Sequence, residues 1–222
     1  VFLGLWVRLK ITAPPELVAA TEKEAPPAVP IGELFRTSAL ATFAGTVGTV
    51  ACFALFYIST VFIIGHGTKT LGYDRETFLA VELLAILFMA AGIVTAGISA
   101  DKRTANAVLM FGCIFTIPVG MAMALLVVPG SLASVAAWLA FALFVMGFVY
   151  GPLGGWLPSL FPARVRYTGV SVTFNLGGIL GGGLTPLIAE TLVKQGGLTW
   201  VGYYLAGAGL LSLIGLILVR DK

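Results

Sequence analysis

Glu82 is the acid whose setting carries the most chemical consequence, because it lies inside the apolar run FLAVELLAILFMAAG. A charge at the centre of a lipid-crossing helix costs about 2.5–3.5 kcal/mol, so this carboxyl should face a bundle interior, a cavity or a basic partner. Arg75, two turns earlier, is one candidate partner. The chemistry open to Glu82 is proton binding and release, or contact with a solute; an external gate or a packing contact is the plain alternative. Phe53, Tyr57 and Thr60 fall close to i, i+4, i+7 spacing and so share a stripe of one helix. Tyrosine and threonine there could hydrogen-bond a small metabolite while Phe53 shapes the cavity, with core packing as the competing role. Asn175 could bond a ligand or a neighbouring helix.

Enzyme chemistry finds no converging cluster. The single histidine, His66, rules out a multi-histidine metal site and reads as part of a solvated loop. The HExxH and GxSxG patterns are absent. Gly67-Thr68-Lys69-Thr70 lacks the upstream glycine of a phosphate loop, Phe62 standing there instead. Cys52 and Cys113 sit in apolar runs and read as small hydrophobes with neither disulfide nor metal spacing. No catalytic residue, metal or cofactor is expected.

The elements that must position these side chains follow from composition. The chain is 59% hydrophobic and 10% charged, with a mean hydropathy of +1.02. Soluble domains carry about 25% charged residues, so the depletion points to a polytopic membrane protein. The basic residues lie scattered in short connections, which argues against nucleic-acid binding. Apolar runs near the ~20 residues a spanning helix needs occur at 38–64, 78–100, 105–128, 132–157, 169–193 and 199–219. None alternates with period two, so the expectation is all-α with six transmembrane helices rather than a β-barrel. Before them, TAPPELVAATEKEAPPAVP reads as an aqueous linker, placed at 8–37, and the stub at 1–7 as the end of an upstream helix. The bundle is expected over 38–219 and a short tail at 220–222. Six spans put both ends on one side, together with Arg8, Lys10, Lys23, Arg36, Lys102, Arg103, Arg164, Arg166, Arg220 and Lys222. Lys69, Arg75 and Lys194 fall on the other side, so both ends should be cytoplasmic.

Two motifs sit on that basic side. Gly97-Ile-Ser-Ala-Asp101-Lys102-Arg103 resembles the GxxxD(R/K)xGR signature of the major facilitator superfamily, without its clean GR ending. The resemblance implies a glycine for close helix approach and an aspartate that pairs to hold a cytoplasmic gate shut; a charged turn obeying the positive-inside rule is the alternative. The segment FPARVRYTGVS at Phe161–Ser171, continuing to Asn175-Leu-Gly177-Gly178, looks like the FPxxxRYTGxS…NLGG stretch of the superfamily's metabolite:proton symporters. LGYDRETFL and GGLTWVGYYL are similar to that family too. Arg164 and Arg166, counted with Gly97, Asp101, Lys102 and Arg103 among the gating residues, would face lipid phosphates or the aqueous vestibule, Leu160, Phe161 and Val165 the membrane interface, and Thr168 or Ser171 would cap the following helix. Trp156 reads as an interfacial anchor. Gly151, Gly177, Gly178, Gly181 and Gly182 lie at small-xxx-small spacings, which let helix backbones approach closely.

The resemblance implies the C-terminal half, two three-helix inverted repeats, of a twelve-helix carrier in the plasma (inner) membrane. Its partners would be the N-terminal six-helix half, the bilayer, a small metabolite such as an organic acid or betaine or proline, and a proton. A non-transporting or channel-like membrane module is the alternative from another class.

Overall fold

The computed structural model describes residues 30–219; the expected helix end at 1–7, most of the linker and the tail at 220–222 lie outside them. Among the described residues there is no strand. The helices are α1 (Pro30–Tyr57), α2 (Ile63–Lys69), α3 (Arg75–Lys102), α4 (Ala105–Leu126), α5 (Leu132–Tyr150), α6 (Leu153–Ser159), α7 (Arg166–Gly178) and α8 (Thr185–Leu218). Two five-residue π-helical segments, Ile58–Phe62 and Ile179–Gly183, join α1 to α2 and α7 to α8.

These elements form five helical runs long and apolar enough to cross a membrane: Ile31–Lys69, Arg75–Lys102, Ala105–Leu126, Leu132–Ser159 and Arg166–Leu218. The expected fifth and sixth spans are therefore one continuous run, with a break inside it. Gly196 and Gly197 leave helical geometry, and Gly197 takes φ 70°, a left-handed conformation that favours glycine. Thr185 Oγ1 and Tyr204 OH lie 2.8 Å apart across this break. Nineteen residues of straight helix would separate them by about 28 Å at 1.5 Å each, so the run doubles back on itself.

Short polar residues start three of the helices. Asp74 Oδ2 accepts from the Thr77 N–H (2.9 Å), Thr104 Oγ1 from the Ala107 N–H (3.2 Å) and Ser131 Oγ from the Ser134 N–H (3.4 Å). The Thr77 N–H bond also holds the Asp74 carboxyl below its ordinary pKa. The first helix begins earlier than expected: residues 30–37 are helical, with Glu33 in the first turn, and the chain bends at Ser38 (φ −137°, ψ 27°). The expected span start thus marks a kink within a helix. Polar side chains here are compatible with a helical backbone, as in Thr37, whose Oγ1 donates to Glu33 O at 2.8 Å.

Glycine sets the packing. A Cβ on Gly147 would strike Met89 O, and one on Gly92 would strike Phe144 O, so α3 and α5 meet backbone to backbone. The same holds for α4 and α8 at Gly120 and Gly202. In turn α8 meets α1, where a Cβ on Gly215 would lie 2.6 Å from Ala44 O. Trp138 Nε1 donates to Val119 O (3.0 Å), tying α5 to α4. The result is a bundle in the spatial order α3, α5, α4, the second half of α8, α1, α7.

Several local expectations change in this packing. Trp156 is buried, its ring filling the space that a side chain at Gly48 would take, and so is no interfacial anchor. Leu160, Phe161 and Val165 are buried under protein. The helix after them starts at Arg166 with Val165 at its cap, so neither Thr168 nor Ser171 caps it. His66 is buried in α2 and stacked on Phe62 (centroids 5.6 Å) rather than exposed in a loop.

Candidate functional site

The seam between α1 and α7 brings the predicted stripe to its neighbours. Phe53 meets Phe174 edge to face, with ring centroids 4.9 Å apart at 67°. Gly178 and Gly182 make room for the rings of Phe53 and Tyr57, while Gly177 and Gly181 approach Thr49 and Val50. A larger residue at Gly177, Gly181 or Gly182 would collide with α1, whereas a Cβ on Gly178 would make ordinary contact with the Phe53 ring. Thr60 lies in the first π segment and donates its Oγ1 to Phe56 O (2.7 Å). Mid-helix π segments occur frequently at functional sites.

Phe174 is also a wall of two adjoining cavities between α5–α6 and α7. The first, about 260 Å³, is bounded by Tyr150, Gly151, Leu157 and Pro158. The second, about 530 Å³, takes in Pro158, Arg166, Ser171, Phe174 and Asn175. Pro158, Val170 and Phe174 line both, so they form one groove running down to Arg166. Tyr167, Val170, Ser171 and Phe174 recur at i, i+3, i+4, i+7, which turns one face of α7 to this groove. Asn175 is exposed there and donates Nδ2 to Ser171 O (2.8 Å), leaving its Oδ1 to accept. Phe174 therefore touches Phe53 of α1 and lines the groove together with Asn175.

Glu82 lies elsewhere. It faces a cavity of about 410 Å³ lined by Ile64, Leu79, Ala80, Leu83 and Ile86, a lining that shares no residue with the groove. The side chain is buried, and Oε2 has no hydrogen-bond partner. Arg75 is exposed and makes no ion pair with it among the described residues. A buried carboxyl oxygen without a donor costs far less as the neutral acid than as an anion.

At the basic end, the two arginines have distinct settings. Arg164 Nε lies 2.9 Å from Glu33 Oε1, joining the start of α1 to the connection before α7. Glu33 was legible only as part of IGELFR, with nothing in the sequence to pair it across 131 positions. Arg166 Nε donates to Phe161 O (3.3 Å). Asp101, Lys102 and Arg103 are exposed at the end of α3, with Arg103 N–H bonded to Ser99 O (3.0 Å). Among the described residues Asp101 has no ion pair, and a Cβ on Gly97 would meet nothing within 4 Å, so that glycine is not at a close helix approach. Gly151 is, packing on Ile93 O and the Ala96 side chain. The sequence missed Gly92, Gly120 and Gly215, which stand outside the patterns it drew attention to.

No group of three or more His, Cys, Asp or Glu side chains that could hold a metal ion occurs among the described residues. The buried Thr46 Oγ1 and Thr173 Oγ1 have no partner, and they lie on the facing helices of the α1–α7 seam.

Comparison with known proteins gives these features a context. The family described as Major Facilitator Superfamily matches residues 1–182. The chain is 34% identical to the inner membrane metabolite transport protein YhjE of Escherichia coli, over the whole chain and 51% of that relative. It is 32% identical to a putative metabolite transport protein of Haemophilus influenzae, over the whole chain and 52% of the relative. To the shikimate transporter of Escherichia coli it is 26% identical, over 75% of this chain and 39% of that one. The chain thus spans about half the length of the curated relatives it matches along its whole length. No solved structure gives a significant match.

Proposed function

The chain belongs to the major facilitator superfamily and is a multi-pass membrane protein, and from that premise we propose that it forms one half of a proton-coupled carrier for a small metabolite. The break at Gly196–Gly197 supports counting the last run as two spans, six in all, in the two three-helix inverted repeats of this reading. The helical segment 30–37 then leads into the bundle as the described end of the central linker. Both ends are cytoplasmic, in the inner membrane. The exposed apolar faces of α3 (Leu83, Leu87) and α7 (Leu176) would lie against lipid or the other six-helix half. Solute would bind between the halves near the bilayer midplane, and the halves would rock to expose it to either side.

Coupling rests on one observation: the buried Glu82 carboxyl with an unbonded Oε2 in an apolar cavity. Such a group takes up a proton to stay buried and gives it up when water or a cation reaches it, which ties protonation to conformation. One elementary charge moving through 100 mV supplies about 2.3 kcal/mol, enough to drive accumulation. Arg164 and Glu33 act as a latch at the cytoplasmic end, with Asp101, Lys102 and Arg103 at its rim. Phe53, Tyr57, Thr60 and Asn175 shape the solute path, and Phe174 between them transmits movement of α7 to α1.

The decisive experiment uses the complete carrier in proteoliposomes. Wild type is expected to accumulate solute under an inward proton gradient, while Glu82→Gln keeps solute exchange at equal concentrations and loses gradient-driven accumulation. Accumulation by Glu82→Gln at the wild-type level removes Glu82 from coupling.

A further inference from the structure

We propose that the cavity beside Glu82 is a binding site for an apolar amine bearing at least one N–H, whose nitrogen pairs with the carboxyl while its hydrocarbon body fills the space. The site goes beyond the carrier reading and needs only that the chain crosses the membrane. Two helices build it. Gly67 of α2 leaves room for the ring of Phe78 on α3, and Glu82 stands one turn further along the same stripe as Phe78. Ile64 of α2 and Leu79, Ala80, Leu83 and Ile86 of α3 complete a cavity of about 410 Å³, within the few hundred Å³ that small-molecule sites occupy. Glu82 is only 6% exposed, its Oε2 has no hydrogen-bond partner, and it is the one ionisable group in an otherwise aliphatic lining. Arg75 is exposed and makes no ion pair with it among the described residues. His66, two residues beyond Ile64, stacks on Phe62 and does not line the cavity.

A buried carboxyl oxygen without a partner calls for a donor. The rim residues Leu79, Leu83 and Ile86 are exposed and apolar, so entry across them favours an uncharged, lipid-soluble molecule. An alkylamine meets both demands. It enters as the free base and, being a far stronger base than a carboxylate, takes the Glu82 proton on its nitrogen lone pair. The two charges arise in contact, the ammonium N–H donates to Oε2, and no proton is gained or lost overall. An alcohol can donate a hydrogen bond but brings no charge. A quaternary ammonium has no N–H, and the lining offers none of the aromatic faces that hold such cations. A phospholipid's ammonium arrives with its phosphate, which would have to follow it about 10 Å along α3 from Arg75 at 1.5 Å per residue.

The test uses the complete protein in strongly buffered phosphatidylcholine proteoliposomes, whose headgroups lack N–H, and reads the carboxyl stretch by infrared difference spectroscopy. Hexylamine is the probe. Hexanol and hexyltrimethylammonium match its chain length, and methylamine matches its basicity without the apolar body. Hexylamine is expected to remove the band of a protonated carboxyl and add that of a carboxylate, and neither change should occur in Glu82→Gln. Ala80→Phe, which fills the cavity and keeps the acid, should raise the half-saturating hexylamine concentration at least tenfold, and it decides the matter even where Glu82→Gln fails to fold. A spectrum unmoved by hexylamine overturns the proposal, as does an equal change with any of the three matched compounds. A change that persists in Glu82→Gln, that is unaltered in Ala80→Phe, or that phosphatidylethanolamine vesicles produce without hexylamine also overturns it. Failure of the carrier reading has a separate signature: the complete protein accumulates no solute, yet binds hexylamine as expected.

Discussion

Helix α1 is gripped on two sides in contrasting ways. On the α8 side, Ser212 Oγ accepts from the Ala51 N–H (2.8 Å) and donates to Val47 O (2.9 Å), inserting a hydroxyl from one helix into the backbone ladder of the other. Backbone contact at Gly215 and Gly48 lies one turn away. On the α7 side, contact is as close at Gly177 and Gly181, but the hydroxyls of Thr46 and Thr173 find no partner. Hydrogen bonds define one relative position, whereas apolar contact and unpaired hydroxyls do not. The first seam is thus pinned by hydrogen bonds and the second rests on packing alone at these hydroxyls, and the second is the one that borders the groove.

Three substitutions break or sharpen this contrast. The largest effect is expected from Gly215→Val, because even a Cβ would lie 2.6 Å from Ala44 O and 2.7 Å from Gly48 N, both backbone atoms. Overpacking of this kind costs about 1–3 kcal/mol or more, and the folded carrier should be largely lost from a size-exclusion profile in detergent. Ser212→Ala comes next, removing two hydrogen bonds between helices at a cost of about 1 kcal/mol, because Ala51 N–H can return to its own ladder. Its thermal midpoint should fall by a few degrees. Thr173→Val is the smallest, neutral or slightly stabilising, since it deletes a buried hydroxyl that has no partner. A loss for Thr173→Val as great as for Ser212→Ala would erase the distinction between the seams.

How much of this could be read from the chain depends on what each feature requires. Long apolar runs need only composition and length, and four of the six expected spans match helical runs with ends shifted by a few residues, apart from the first, which extends from 38–64 to Ile31–Lys69. The last two needed knowledge of a turn, and Gly196–Gly197 stood in the expected gap. Lateral neighbours are another matter. Trp156 looked like an anchor because aromatic residues favour the interface, yet it fills the hollow at Gly48, more than a hundred positions away. His66 was assigned to water because it follows an apolar run, but α2 continues past it and Phe62 covers it. Gly97 and Gly92 differ by five residues on α3, and only Gly92 meets a neighbour closely. Nothing local separates them, because the difference lies in which side of α3 the α5 helix occupies. The groove was hidden for the same reason: Arg166, Ser171 and Asn175 share it with Pro158 of another helix. Glu82 was legible as a buried acid, because any charge within so apolar a run must find shelter, but its cavity and its missing partner were not.

The turns opposite Arg164 and Arg166 are short, and Tyr73 OH donates to Val128 O (2.9 Å), lashing the α2–α3 connection to the α4–α5 one. The two connections therefore move as one unit rather than as separate loops. An affinity tag spliced beside Tyr73 would have to sever the lashing first.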